Sequence, residues 1–252
     1  MQELVSFRRY QEWFVTRNLA TNLRYILCVG TPTLIVLLLG VEFEDWFFGI
    51  IWLLLSLFVL TYAVEIYDSD LVLDEQITWL RALTDEDVLA DVVQRHEDFL
   101  ATTIYELFQS IVPVLFWFLV VGPAGAVFYA LSVRYLDSLD LDDPEVDLLE
   151  QVIHWTDWIP ASITGLLFAL VGNFGRGFEY WLETFLDTEE SNAVHLQNLA
   201  LIVVDDDRNA EEDNVVGFAQ SAEQQLNKLR TLFERTVYGW VGIAALVAII
   251  GW

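Results

Sequence analysis

Lysine is almost missing from this sequence: Lys228 is the only one in 252 residues, and with the arginines it makes 12 basic side chains against 38 acidic ones, a formal net charge of −26. Such a shortage of positive charge excludes nucleic acid as a partner, because a polyanion has to be met by a basic face. It also keeps anionic lipid headgroups away from the acidic loops. An excess of Asp with so little Lys fits either a salt-adapted surface, whose self-repulsion salt screens, or a merely acidic protein. Cysteine is equally scarce. Cys28 stands alone, so neither an intrachain disulfide framework nor a cysteine-based metal site can form. Of the three histidines, His96, His154 and His195, only His96 has an acidic neighbour, Glu97, and adjacent residues point apart on a helix. No metal or cofactor is expected. The phosphate-cradling Gly-x-x-x-x-Gly-Lys-Ser/Thr loop, His-Glu-x-x-His and Gly-x-Ser-x-Gly are all absent, so no catalytic residue is nominated. Internal repeats and low-complexity tracts are lacking too. The first residues hold no apolar core followed by small residues, and the first span is expected to serve as the insertion signal in place of a cleaved peptide.

What the sequence has in abundance is apolar residues, 55% of the chain, gathered into charge-poor runs that alternate with stretches dense in Asp and Glu. That alternation predicts an all-α, polytopic integral membrane helical bundle with amphipathic cytoplasmic helices. Residues 1–24 mix Arg8, Arg9, Arg17 and Arg24 with aromatics, as an interfacial amphipathic segment does, and place the N-terminus in the cytoplasm. Residues 25–66 read as a transmembrane hairpin, Tyr25 to Val41 with a kink at Pro32, then Trp46 to Ile66. Residues 67–103 read as cytoplasmic amphipathic helices, with Thr84 placed to cap one of them. Residues 104–173 form a membrane core, in which the chain either bends or turns back at Gly122-Pro123-Ala124-Gly125. Its last apolar run, Ile159 to Val171, is short for a crossing and is either re-entrant or completed by flanking tryptophans. Residues 174–235 are expected to be a cytoplasmic helical segment, with Ala193, Leu196, Leu199, Ala200 and Val203 on one helix, Ala219, Ala222, Leu226, Leu229 and Phe233 on another, and the acidic loop Asp205 to Asn214 between them. Residues 236–252 are the C-terminal transmembrane helix.

An ionisable group near hydrocarbon is costly and marks function by default. On that ground the candidate ligand-binding residues are Glu106, Tyr129, Asp137, His154, Asp157 and Trp158. Each has a plainer role open to it. Glu106 and Asp137 can mark where the membrane ends, and Asp157 can cap a helix with Pro160 in its first turn. Pro113, Gly122, Pro123, Gly125 and Pro160 are expected to be structural, breaking helices or allowing close packing.

Two signatures carry a family resemblance: the apolar run Pro113 to Tyr129 with its Gly122-Pro123-Ala124-Gly125 turn, and Asp157-Trp158-Ile159-Pro160-Ala161. Together they resemble the membrane family containing the CobD/CbiB amide synthases of cobalamin biosynthesis and the AmpE proteins, regulators linked to β-lactamase induction. The apolar and turn residues of the synthase pattern are kept, while its charged and polar positions fall on Ile104, Tyr105, Phe108, Ala130, Val133 and Ser162. The chain therefore resembles the AmpE side. That resemblance implies a regulatory or sensory protein of the bacterial inner membrane, multi-pass, acting in cell-wall stress together with a cytoplasmic AmpD-like muropeptide amidase. It leaves two alternatives, an ATP-dependent amide synthase and a membrane binding module for a muropeptide or lipid-linked ligand.

Overall fold

The structure, a computed structural model, describes residues 21–42, 69–140, 143–186, 188, 190–204 and 214–250. The interfacial segment up to residue 20, the second span Trp46 to Ile66 and the acidic loop from Asp205 to residue 213 lie outside the described residues. Among the described residues every regular element is helical. They are α1 (Thr21–Tyr25), a π-helical segment (Ile26–Gly30), α2 (Thr31–Glu42), α3 (Ser69–Arg81), α4 (Leu89–Val121), α5 (Pro123–Asp137), α6 (Val146–Val171), α7 (Phe174–Thr184), α8 (Asn192–Val204) and α9 (Val215–Ile250). Among the described residues, three stretches are long and apolar enough to cross a membrane: Leu23–Gly40, Leu89–Val121 and Val215–Ile250. Their outward surface is apolar as well, with Leu38 58% and Ile249 81% exposed, which suits a hydrocarbon surrounding and is unusual for a surface facing water.

The chain divides into two compact units, Met1–Glu65 with Pro113–Asp157, and Ile66–Val112 with Trp158–Trp252. This division differs from the six consecutive segments expected, and the boundaries drawn at 103/104 and 235/236 fall inside the continuous helices α4 and α9. No proline or glycine adjoins either boundary to stop the helix, so the change from polar to apolar surface occurs along one rod.

In the first unit, α5 packs along the π-helical segment and α2. The wide π turn lies directly ahead of Pro32, whose missing N–H and bulky ring exclude a regular α turn there. Thr33 Oγ1 donates to the Val29 carbonyl at 2.8 Å, supplying a bond in that irregular stretch. Between α4 and α5 the chain turns back. Gly122 holds φ 79° and ψ −162°, a region essentially closed to residues with a side chain, and Pro123 starts α5 where no N–H is needed. Val114 of α4 then packs with Ala126, Tyr129 and Ala130 of α5.

In the second unit, α3 buries Leu73, Ile77 and Leu80 and packs on α9, which buries Ala219, Ala222, Leu226 and Leu229. Arg81 pairs with Glu223 and Arg230 with Asp74. These exposed pairs set the register of the two helices more than they stabilise them. On α8, Leu196, Leu199, Ala200 and Val203 are buried. Thr84 does not cap a helix: its N–H and hydroxyl both donate to the Asp87 carboxylate, at 2.8 and 3.2 Å, closing a turn ahead of α4, which starts at Leu89. Asp87 offers the backbone a local acceptor there and so delays the helix by several residues.

Candidate functional site

The first unit contains a buried polar core that no local motif announces. Glu145, at the entry to α6, is 0% exposed. Its carboxylate receives Arg24 Nε at 2.6 Å, and the Arg24 guanidinium reaches Asp143 at 3.4 Å as well. The Tyr135 hydroxyl donates to the other Glu145 oxygen. Tyr135 is itself buried, which keeps water from competing for that bond. Tyr25 lies against Tyr135, ring centroids 5.9 Å apart, and its hydroxyl meets Ser132 Oγ at 3.0 Å. A charge pair and two phenols thus tie α1 and α5 to the start of α6, with Cys28, Val29 and Leu149 forming the apolar packing beside them.

Asp157 is likewise 0% exposed, and it lies in the middle of α6. It therefore caps nothing, and Pro160 is a proline inside a helix instead of one in a first turn. A proline within a helix frees the carbonyl four residues earlier, here that of Thr156. Trp117 Nε1 donates to that carbonyl at 3.1 Å, so a tertiary bond replaces the missing helical one. Substituting Trp117 by Phe is expected to destabilise the protein by about 1–3 kcal/mol through an unsatisfied carbonyl. In a P160A background, where the substituted alanine supplies the N–H, the same change should be much milder, and thermal melting of the four proteins in detergent measures the coupling.

The other expected site residues divide between the units. Tyr129 is buried in the hairpin packing near Trp117, Asp137 ends α5 exposed, and His154 is half-buried with its ring edge-on to Trp155. These three share the first unit with Asp157, whereas Glu106, exposed on α4, and Trp158, half-buried on α6, belong to the second. Among the described residues no group of three or more His, Cys, Asp or Glu is placed to hold a metal ion.

A family model described as "Regulatory signalling modulator protein AmpE" matches residues 4–232. The chain belongs to the AmpE family. No curated protein and no solved structure matches it. The AmpE match takes in the Arg24–Glu145 pair, the Gly-Pro hairpin and Asp157, and stops within α9 before the apolar tail of that helix. In the second unit of this AmpE protein, tryptophans again satisfy α6: Trp181 Nε1 donates to the Ser162 carbonyl at 2.8 Å and Trp240 Nε1 to Thr164 Oγ1 at 3.2 Å. His96, buried, meets Gln225 Oε1 at 3.1 Å and stands edge-on to Phe218. Arg24, Tyr135 and Glu145 are the residues that sequence reasoning passed over. Arg24 reads as one more interfacial cation and Glu145 as one more acid in a polar stretch. The one available signal was that Glu145 directly precedes the apolar positions Val146 and Leu149 of α6.

Proposed function

We propose that the chain is a multi-pass regulatory protein of the bacterial cytoplasmic membrane, acting in the cell-wall stress response and β-lactamase induction alongside an AmpD-like amidase, and that it catalyses no reaction. The AmpE match across residues 4–232 carries this reading, and three helices able to span a membrane support it. The arginines at positions 8, 9, 17 and 24 favour a cytoplasmic N-terminus. Joining an amine to a carboxylate with ATP needs charged groups to hold phosphates and metal. At the positions where the resembling synthases carry such groups, Phe108 is 1% exposed, Ala130 is buried, and the Ser162 hydroxyl bonds the Trp158 carbonyl at 2.8 Å. None supplies charge. Purified full-length protein given a corrinoid carboxylate, an amine and ATP should form no amide and leave the nucleotide intact. Deleting the gene from its host should change β-lactamase induction under cell-wall stress; unchanged induction would refute the regulatory role.

Asp157 favours a second reading, a binding module for a muropeptide or lipid-linked ligand. An aspartate with no exposure, in a helix whose following residues are apolar, is costly unless it serves a purpose. Tyr129, Asp137 and His154 lie in the same unit as this carboxylate. Muropeptide fragments that raise the melting temperature of the wild type and leave that of D157N unmoved would support it. No shift in either protein removes it.

A further inference from the structure

Helix α7, in the second unit, divides into three faces at about 3.6 residues per turn. Gly177, Tyr180 and Trp181 turn toward neighbouring helices: Tyr180 stacks on His195 of α8 with ring centroids 6.1 Å apart, and Trp181 Nε1 donates to the Ser162 carbonyl of α6 at 2.8 Å. A charged face carries Arg176, Glu179 and Glu183, all exposed. Next to the protein-facing side runs an apolar face, Phe174, Phe178 and Leu182, continued past the helix end by Phe185. Phe174 is 51% and Leu182 55% exposed. The aromatic rings of this side are already ordered. Phe174 stacks on Phe178, Phe178 on Trp181 and Trp181 on Phe185, at centroid distances of 5.1, 5.8 and 4.8 Å, so covering the face costs little further side-chain entropy.

Contacts with α6 fix the level of this face. Helix α7 runs back along α6, since a Cβ on Gly177 would meet Ala169 and Trp181 reaches Ser162. Helix α9 runs back along the same stretch: Arg235 Nη1 reaches the Val171 carbonyl at 3.5 Å, a Cβ on Gly239 would lie 3.0 Å from Leu167, and Trp240 Nε1 donates to Thr164. Glycines at such close approaches are typical of helices packed in membranes. Trp181 and Trp240 therefore stand near one level, about 8 Å past Arg235 at roughly 1.5 Å per residue. Arg235 is the last charged residue of α9, and Thr236 to Ile250 form the uncharged end of a helix able to cross a membrane. The apolar face of α7 is thus continuous with the bilayer contact of α9, at the depth where headgroups give way to acyl chains and where tryptophan is favoured.

We propose that α7 is a membrane-surface helix whose Phe174, Phe178 and Leu182 face rests on the acyl chains of the bilayer, with Arg176, Glu179 and Glu183 turned to headgroups and water. The proposal rests on the multi-pass reading, because α9 supplies the depth reference. It takes the first helix of residues 174–235 out of the cytoplasmic segment expected from the sequence. With two acids against one arginine on the charged face, the attraction is apolar, and a zwitterionic bilayer is a sufficient partner.

The test uses the full chain in phosphatidylcholine vesicles, with Cys28 replaced by alanine and one bimane label at L182C, E183C or V241C. Quenching by doxyl-labelled phosphatidylcholine reports acyl chains, and quenching by iodide reports water. The label at 182 is expected to lose most of its emission to the doxyl lipid, more to a shallow doxyl group than to a deep one, and little to iodide. The label at 183, on the charged face one residue away, should show the reverse, and the label at 241 on α9 should respond to the doxyl lipid alone. F174C repeats the measurement on the apolar face should L182C fail to fold. Iodide quenching at 182 with doxyl quenching kept at 241 would overturn the proposal and leave the multi-pass reading standing. Iodide quenching at 241 as well would refute both. A label at 182 that neither agent reaches, covered by another segment or a second copy, would also overturn it.

Discussion

Replacing Arg24 with alanine is expected to lower stability by about 3–5 kcal/mol and the melting temperature in detergent by roughly 10 °C. The magnitude follows from what the substitution leaves behind. Glu145 has no exposed surface, so its carboxylate cannot recover water when the 2.6 Å bond from Arg24 Nε is lost. The Tyr135 hydroxyl alone does not replace a full positive charge. E145Q should be milder, because an amide oxygen still accepts from that hydroxyl. The double change R24M/E145L should recover most of the loss, since well-packed apolar residues often match a buried ion pair in stability. A single R24A protein that melts with the wild type would mean that the pair is not what holds α1 against the start of α6.

The second large effect is expected at the hairpin. A Cβ on Gly125 would lie 2.5 Å from the Trp117 carbonyl oxygen and 2.9 Å from Val121 Cβ. The oxygen belongs to the backbone of α4 and cannot swing aside, so G125A has to push α4 and α5 apart, at a cost of about 1–3 kcal/mol or more. G122A acts by another route: nothing lies within 4 Å of its Cβ, and the penalty is the backbone conformation alone, about 1–3 kcal/mol. Asparagine at 122 should not help, because the left-handed region that it tolerates has ψ near +45°, far from the −162° found here. G125A is thus expected to loosen side-chain packing around Tyr129 and Trp117, seen as altered tryptophan fluorescence, while G122A lowers the melting temperature with that packing retained. The reverse pattern would show that sterics and backbone strain have been assigned to the wrong glycines.

The helical periods were legible because burial is periodic along a single element. The spacing of Ala219, Ala222, Leu226, Leu229 and Phe233, or of Ala193, Leu196, Leu199, Ala200 and Val203, needs no knowledge of the partner surface; eight of the ten are buried, and Ala193 and Phe233 are half-buried. Helix ends were less legible. Thr84 has the chemistry of a cap, but Asp87 three residues on captures both its donors. Asp157-Trp158-Ile159-Pro160 looks like a helix start, and it is the middle of one. What tips that balance is Trp117, 39 residues before Thr156, whose indole N–H satisfies the carbonyl that proline abandons. Long-range partners were not legible at all. Arg24 and Glu145 are 121 residues apart, and apart from the apolar Val146 and Leu149 that follow it, little local to Glu145 marks it among so many acids.

At 36 residues, α9 is about 54 Å long at 1.5 Å per residue, nearly twice the roughly 30 Å of a bilayer's oily interior. No proline interrupts it, its first half is clasped by α3 and its last turns stand bare. Such a rod has no joint at which a disturbance could be absorbed. A tilt imposed on the clasped half must reappear, enlarged by leverage, at the bare tip.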